Sequence, residues 1–339
     1  GTRDFSAHIE AAPIGIEKLV YLKISLALRR QVDLYEFPYD WRRPIEQNGD
    51  LLHQCIERWA DGNPDQQFTL VGHSMGGIVA RAYLARHTEA AERRIKRLIM
   101  HGTPHFGAAG AVEGMAMGNR MMAIMTKLNQ ANVPQRLMLN MPSVYQLLPA
   151  PPDLFPSIRP YPANWDLYDA AAWRLEGIRQ DYLDAGRQLH ELLAAADPQV
   201  DVIEIAGCHV DTVVEVQRSF GRDETPEHEL IRKNEGPDAG DGTVPLWSAV
   251  LPGATIYYIQ QVHRYLPKNK RVIDATLDLI HNGTPSLPTE LPPRDTGLLG
   301  HLLGRDALAP ADVEAERLRQ RLEDGTASEE DLTLLYFAM

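Results

Sequence analysis

The chain contains few cysteines and no long apolar segment. Its 339 residues include only two cysteines, Cys55 and Cys208, which cannot form a framework of several disulfides. No cysteine–histidine spacing typical of a zinc site is present, and no apolar run approaches the roughly 18 residues that a membrane-spanning helix requires. The sequence therefore predicts neither a disulfide-rich nor a transmembrane protein, and it implies no metal or other cofactor.

The chain also has fewer basic than acidic residues. Acidic residues outnumber basic ones by 46 to 34, which gives a formal net charge of −12. This balance argues against a nucleic-acid partner, because nucleic-acid phosphates attract clusters of lysine and arginine. The absence of a signal peptide and the low cysteine count favour the cytoplasm. The chain begins with Gly1 rather than methionine, which is consistent with a processed or truncated N-terminus.

Apolar segments with strand character alternate with segments of helical periodicity. Such alternation predicts an α/β fold with a mostly parallel sheet and crossover helices on both faces. Between 207 and 240 the sequence indicates only a polar loop. The predicted strands are 31–37, 68–74, 97–101, 200–207 and 254–259, and the predicted helices are 16–30, 51–59, 78–87 and 271–280.

The alternation is interrupted by one long insertion. Residues 1–105 and 197–283 are predicted to form the core of the fold, and residues 106–196 a helical lid over the carboxyl edge of the sheet. The lid should contain helices at 118–127 and 168–195. Residues 284–339 begin with a proline-rich stretch that is typical of a linker, followed by short helices at 311–322 and 328–337.

Seven of the ten methionines lie between Met115 and Met141. A methionine-rich surface adapts to varied apolar partners, including acyl chains, and would allow transient contact of the insertion with a lipid surface. We therefore name Met121, Met125 and His105 as candidates for lining a substrate pocket. The alternative is that these methionines fill the insertion's own core.

The most informative stretch is Gly72-His73-Ser74-Met75-Gly76. In a strand–turn–helix context, a Gly-X-Ser-X-Gly box is typical of a nucleophile elbow, a tight turn that raises the serine hydroxyl above the sheet edge. We expect Gly72 and Gly76 to be glycines because a Cβ at either position would collide with the neighbouring strand or helix. Ser74 is the predicted nucleophile, and the backbone N–H of Met75 is the predicted oxyanion donor.

A serine nucleophile requires a base, and the base requires a carboxylate that orients it. Asp241 lies in a glycine-flanked turn and His263 directly follows the last predicted strand, which matches the chain order Ser, Asp, His of α/β-hydrolases. The sequence favours Asp241 because its flanking glycines allow the loop to bend and aim the side chain. The competing acids are Asp238, Asp201 and Asp211.

Other histidines compete with His263 for the role of the base. His281 ends a helix, where an interaction with the helix dipole is expected. The side chain of His73 should point away from the substrate. His101 and His105 belong to the loop after a strand and are candidates for lining the pocket. His263 is therefore the favoured base.

Four stretches resemble the lecithin:cholesterol acyltransferase family of α/β-hydrolases and its lysosomal phospholipase and phospholipid:diacylglycerol acyltransferase relatives. They are Phe-Pro-Tyr-Asp-Trp-Arg at 37–42, the elbow at 70–77, Gly-Thr-Pro at 102–104 with Gly107, and the turn at 240–245. Residues 142–149 are similar to a further patch of bacterial members. The resemblance covers residues 12–283 and implies an α/β-hydrolase fold with nucleophile, acid and base at Ser74, Asp241 and His263.

Two features of that family are missing. The strand that supplies its second oxyanion N–H is not found in residues 1–36, so the second donor is unassigned. The lid disulfide of the animal acyltransferase has no cysteines to form it.

These features predict a lipase, phospholipase, esterase or acyltransferase that acts on lipid esters through an acyl-enzyme on Ser74. Whether water or an alcohol accepts the acyl group is open. The unassigned oxyanion donor motivates one alternative, a non-catalytic binding module that keeps the fold. A second alternative is a soluble carboxylesterase without a preference for lipids.

Overall fold

The computed structural model describes residues 15–118, 137–157 and 159–296, together with residues 320, 321, 324 and 326. Its helices are α1 (Lys18–Arg29), α2 (Ile45–Trp59), α3 (Met75–Arg86), α4 (Thr88–Arg94), α5 (Ala109–Met117), α6 (Pro142–Tyr145), α7 (Ala170–Trp173), α8 (Gln180–Ala195), α9 (Leu246–Ala249) and α10 (Lys270–Ile280), with a 3₁₀ helix at His263–Lys268. Its strands are β1 (Phe68–His73), β2 (Ile95–His101), β3 (Asp201–Cys208), β4 (Thr212–Phe220), β5 (Pro226–Lys233) and β6 (Thr255–Gln260). None of the described helices is long and apolar enough to cross a bilayer.

Four strands form one parallel sheet in the order β1-β2-β3-β6. Ile99 on the central strand β2 lies beside Val71 of β1 and Ile203 of β3. Because side chains alternate between the two faces, Ile99 and Ile203 pack against α10, whereas Leu98 packs with α2 and α3 on the opposite face. The prediction of a mostly parallel sheet with helices on both faces is confirmed.

The predicted strand 31–37 is wrong. Residues 31 and 32 belong to the turn that follows α1, and residues 33–37 pair with no strand of the described sheet, which leaves β1 at the edge of that sheet. Aromatic packing holds it instead: the Tyr35 ring stacks on Trp59 with centroids 5.1 Å apart, and Phe37 packs against two clusters of buried side chains. An alternating apolar pattern indicates a segment with one buried face. Here that face is buried by side-chain packing alone, without backbone hydrogen bonds to a neighbouring strand, so the pattern did not mark a strand.

The loop predicted between β3 and residue 240 contains an antiparallel hairpin, β4–β5. Val213 and Val216 of β4 are buried in the apolar core of the insertion. Four of the eight residues of β5 are charged and exposed, and Leu230 of β5 packs against the same core. The charged residues of β5 made its sequence resemble a polar loop. A strand with only one buried face can carry many polar residues, so the charge did not exclude a strand.

The insertion has a substantial core of its own, to which the hairpin and Trp247 contribute. Met115 is fully buried in that core, and Met138 and Met141 pack against it, as the alternative interpretation of the methionines anticipated. The predicted helix 168–195 is two helices, α7 and α8, and α8 packs on α3 through Leu189 and Leu193. Of the predicted helix 118–127 only Gly118 is described, and it ends α5. Of the predicted tail helices only residues 320 and 321 are described, and both are helical.

The proline-rich segment 284–296 is packed along the outer edge of β6. The backbone N–H of Tyr258 donates to the carbonyl of Pro288 (2.9 Å), and Leu287 is buried in the core beneath. Gln260 makes two hydrogen bonds with the backbone of Asp295, at 3.2 and 2.7 Å. This part of the expected linker therefore covers a sheet edge that would otherwise expose unpaired backbone groups.

The elbow between β1 and α3 depends on two glycines, and only one of them is the predicted one. A Cβ on Gly72 would lie 2.8 Å from the backbone nitrogen of Gly77, and a Cβ on Gly77 would lie 2.0 Å from Oγ1 of Thr103. A Cβ on Gly76 would meet only the hydroxyl of Tyr39, at an ordinary 3.7 Å. The expectation was therefore correct for Gly72 and wrong for Gly76.

We expect Gly72→Ala and Gly77→Ala each to lower the free energy of unfolding by at least about 1–3 kcal/mol, because each overpacks a contact that cannot yield. Gly76→Ala should change it by less than about 1 kcal/mol, since alanine fits and favours helix. Urea denaturation of the three variants measures the difference. Equal destabilisation by all three would contradict this account of the elbow.

Candidate active site

Ser74 has the backbone conformation of a strained turn. Its φ of 56° and ψ of −130° lie in a region that non-glycine residues rarely adopt, at a cost of order 1–3 kcal/mol. The turn is held because the Ser74 N–H donates to the carbonyl of His101 at 2.9 Å. No side chain caps α3 at Ser74, so the serine hydroxyl is free to point away from the helix.

The three residues selected from the sequence form one hydrogen-bonded chain. Nε2 of His263 lies 2.8 Å from Oγ of Ser74, and Nδ1 of His263 lies 2.6 Å from Oδ2 of Asp241. Because the carboxylate can only accept a hydrogen bond, Nδ1 of His263 carries a proton and donates to Asp241. Nε2 is then free to accept the serine proton, which is the arrangement that a general base requires.

Asp241 is held in place through its second oxygen and its backbone. Oδ1 accepts hydrogen bonds from the backbone N–H groups of Thr243 (3.0 Å) and Val244 (2.7 Å). The Asp241 carbonyl accepts from the backbone N–H of His263 at 2.9 Å, which ties the acid's turn to the base's turn. Asp241 is 1% exposed, so its charge is shielded from water.

The competing acids are engaged elsewhere. Asp201 pairs with Arg97 at 2.6 Å, Asp211 with Arg232 at 2.7 Å, and Asp238 with Lys233 at 2.6 Å. Asp238 also contacts Arg159.

His73 contacts the backbone and the ring of the base His263, a role that the sequence did not indicate. Its Nε2 lies 3.1 Å from the His263 carbonyl, its Nδ1 lies 3.0 Å from the Tyr21 hydroxyl, and its ring lies 4.6 Å from the His263 ring. Since a carbonyl only accepts, Nε2–H donates and Nδ1 accepts from Tyr21. Burial and the nearby imidazole of His263 lower the pKa of His73 well below its usual value, so the ring stays neutral.

A second buried network lies under the site. His105 and Glu204 have fully enclosed side chains 3.3 Å apart, and Arg81 approaches the other ring nitrogen of His105 at 3.4 Å. Burial raises the pKa of the Glu204 carboxyl well above its usual value, and the charge of Asp241 adds to that effect. His105 therefore does not line an open pocket, contrary to expectation.

Glu204 connects this network to the site through the loop after β2. Its Oε1 accepts from the backbone N–H of Thr103 at 3.2 Å. The adjacent Gly102 runs so close beneath the site that a Cβ there would lie 2.8 Å from Oδ2 of Asp241 and 3.1 Å from Nδ1 of His263. A lone glutamate inside the apolar run of β3 was the signal that would have revealed this network.

The remaining candidates have mixed outcomes. Met75 opens α3, so its backbone N–H is one of those that a helix leaves unpaired at its start. Met121 and Met125 lie outside the described residues. Within the described ranges, no cluster of three or more histidine, cysteine or acidic residues is arranged to hold a metal ion.

The sheet, the elbow and the chain order Ser-Asp-His define an α/β-hydrolase. In the solved structure of the Tle4–Tli4 complex, a chain matches with a TM-score of 0.52 at 15% identity, over 79% of this chain and 71% of that one. The mature-form lipase BlEst2 of Bacillus licheniformis is 17% identical, with a TM-score of 0.37 over 70% of this chain and 73% of that one.

The family follows from the sequence match. The lecithin:cholesterol acyltransferase family model matches residues 17–270, and the chain belongs to that family. Lecithin-cholesterol acyltransferase-like 4 of Arabidopsis thaliana is 23% identical over 127 residues, which are 35% of this chain and 23% of that protein. The match therefore spans less than a quarter of this relative. The family and the fold are those of lipase-, esterase- and acyltransferase-type enzymes.

The buried histidines make stability depend on pH. Burial lowers the pKa of both His101 and His190 to about 4, and those of His73 and His105 are also well below their usual value. Below pH 6.5 these four histidines are protonated in the unfolded chain but stay neutral in the folded protein. Their contribution to the unfolding free energy is therefore fully present above pH 6.5 and is lost as the pH falls toward 4. The raised pKa of Glu204 acts in the opposite sense.

We therefore expect unfolding free energy to fall between pH 6.5 and 5, with each histidine contributing about 1.4 kcal/mol per pH unit. His101→Gln should reduce the slope by roughly one proton, because glutamine does not titrate. Urea denaturation at half-unit pH steps measures both slopes, and identical slopes for parent and variant would contradict the assignment.

Proposed function

We propose that the chain is a serine-dependent esterase that acts on lipid esters through an acyl-enzyme on Ser74. The observation that carries this proposal is the chain of hydrogen bonds from Ser74 through His263 to Asp241, with distances of 2.8 and 2.6 Å, at a strained elbow that opens a helix. Geometry of this kind is what nucleophilic acyl transfer requires.

The roles follow from the atoms. Oγ of Ser74 attacks the ester carbonyl while Nε2 of His263 takes the hydroxyl proton, and the N–H of Met75 stabilises the oxyanion. His263 then gives the proton to the departing alkoxide, which leaves as the alcohol. Asp241 keeps the ring oriented and stabilises its positive charge without taking the proton.

The second half-reaction uses the same groups in reverse. His263 removes a proton from the acyl acceptor, which attacks the acyl-enzyme and restores Ser74. Water as acceptor gives hydrolysis, and an alcohol gives acyl transfer. Family membership supports a lipid ester as the acyl donor, because the family takes its name from an acyltransferase that uses lecithin and cholesterol.

Ser74→Ala should abolish labelling by a fluorophosphonate probe and lower kcat on p-nitrophenyl esters at least about 10⁴-fold, because the nucleophile is lost. Ser219→Ala is the matched control, since Ser219 is an exposed serine at the end of β4. Intact mass spectrometry detects the label. A folded parent protein that is not labelled would favour the binding-module alternative, and labelling of Ser74→Ala would assign another nucleophile.

A lipid ester as substrate predicts a rising chain-length profile. On p-nitrophenyl esters from acetate to palmitate, kcat/KM should increase with acyl length, because each buried methylene contributes about 0.8 kcal/mol of binding. Best activity on acetate, with none on phospholipid vesicles, would favour the carboxylesterase alternative. Adding a long-chain alcohol and measuring the ester formed against the free acid distinguishes transfer from hydrolysis.

A further inference from the structure

We propose that a basic and aromatic patch on the insertion and its hairpin, formed by Arg174, Arg218 and Phe220, docks onto the anionic head groups of a phospholipid bilayer. We call it the Arg174–Phe220 patch. The inference extends the proposed function, because an esterase that acts on lipid esters meets its substrate at a lipid surface. Binding to that surface can be measured without catalysis.

The two faces of the hairpin β4–β5 differ in charge. Strand pairing places Arg218 opposite His228, and Phe220 lies two residues further along β4, so the three side chains share one face. In the paired segments 216–220 and 226–230 the acidic residues are Glu227 and Glu229, which lie on the opposite, exposed face. The hairpin therefore presents a cation and an exposed aromatic ring on the face that is free of carboxylates.

Two guanidinium groups converge on the ring of Phe220. The Cζ atom of Arg174, which follows α7, lies 4.5 Å from the ring centroid, and that of Arg218 lies 5.2 Å from it. Within the part of the chain that the structure describes, neither arginine forms an ion pair with a carboxylate. Burial and the nearby charge of Arg174 lower the pKa of Arg218. Two neighbouring cations that repel each other favour an anion that contacts both.

The carboxylates of the hairpin turn gather around Gly221 and leave the two arginines unneutralised. Oδ1 of Asp223 accepts hydrogen bonds from the backbone N–H and the hydroxyl of Thr225, at 3.2 and 2.6 Å. Oxygens of Asp223 and Glu227 would each stand 3.0 Å from a Cβ of Gly221. The positive charge of the patch is therefore available to an external anion.

The patch is held on a rigid base. Asn164 donates to the backbone carbonyl of Arg218 and accepts from its N–H, both at 2.8 Å. The Arg218 guanidinium donates to the carbonyl of Ala172 and lies 4.7 Å from the centroid of the Trp165 ring. Phe220 nevertheless remains 45% exposed. The ring can therefore enter a lipid surface without rearrangement of the residues beneath it.

This combination of groups fits a layer of phospholipid head groups. Arginine N–H groups bind phosphate oxygens, and exposed aromatic rings enter the boundary between the polar and apolar layers of a bilayer. The charge complementarity is local, because the chain as a whole carries a net charge of −12. A soluble phosphate would gain nothing from the exposed ring beside the arginines, so the combination favours the bilayer.

The patch lies a strand's length from the catalytic acid. β4 begins beside the turn of Asp241, because the N–H of Gly242 donates to Oγ1 of Thr212 at 2.8 Å and Val210 pairs with Asp241. From Thr212 the strand runs roughly 25 Å to Phe220. A bilayer docked at the patch would hold the enzyme at its substrate without touching the catalytic residues. Changes in the patch should therefore leave the chemistry intact.

Co-sedimentation with vesicles tests the proposal, and the Ser74→Ala protein is used so that no lipid is consumed. It should bind vesicles of equal phosphatidylglycerol and phosphatidylcholine more tightly than pure phosphatidylcholine, and high ionic strength should weaken that binding. Arg174→Glu should lower the affinity at least about fivefold, and Phe220→Ser about tenfold. The matched controls on the α1 side are Arg30→Glu, an exposed arginine, and Leu26→Ser, a leucine that is 48% exposed.

Phe220→Trp retains an aromatic ring and provides a measurement that does not depend on loss of binding. Its fluorescence should be quenched by brominated phospholipid more strongly than that of the parent protein. Absence of vesicle binding, or no added quenching at position 220, would overturn the proposal. Loss of binding in the α1 variants instead of the patch variants would place the docking surface on α1 and overturn it too. Displacement by millimolar inorganic phosphate would assign a site for a soluble anion instead.

Activity separates this inference from the proposed function. With Ser74 intact, the two patch variants should match the parent on p-nitrophenyl acetate, whereas their release of fatty acid from vesicles should fall in proportion to binding. Equal losses on both substrates would show that the patch supports the fold rather than docking. Patch-dependent vesicle binding by a protein without Ser74-dependent esterase activity would contradict the proposed function alone.

Discussion

The close approach of α3 to β1 is the constraint on which the rest of the site depends. A Cβ on Gly72 would meet the backbone of Gly77, a Cβ on Gly77 would meet the side chain of Thr103, and the chain between the two glycines must turn within a few residues. Ser74 bears the strain of that turn, with a φ of 56°. The strained backbone directs its hydroxyl toward His263 and leaves the start of α3 open to a substrate oxygen.

The elbow positions the nucleophile but not the base. Two buried hydrogen-bond networks hold the base and the loop beside it. The first runs from Tyr21 on α1 through His73 to the carbonyl of His263, and it holds the base by its backbone. Burial keeps His73 neutral, so it does not repel the positive charge that His263 carries during acyl transfer. The residue beside the nucleophile in sequence therefore serves the base.

The second network acts through the loop after β2. His105 and Glu204 are enclosed in the interior, and Arg81 approaches His105 from a partly buried position. Glu204 holds the loop whose Gly102 lies against Asp241 and His263. Polar groups in such an interior are costly unless each has a partner. This requirement makes the network specific, because a change at one member leaves the others unpaired.

The sequence by itself determined the features that depend on neighbouring residues. The apolar strand, the Gly-X-Ser-X-Gly turn and the following helix are local, and the chain order of Ser74, Asp241 and His263 is a property of the chain. Only the tertiary structure decided that segment 31–37 pairs with no described strand, that β4 and β5 form a hairpin, and that Gly77 rather than Gly76 is the closely packed glycine. The partners of His73 and Glu204 were equally hidden, since Tyr21 lies 52 residues from His73 and His105 lies 99 from Glu204. Periodicity reports whether a side chain is buried, but the atom that it meets is set by packing between distant segments.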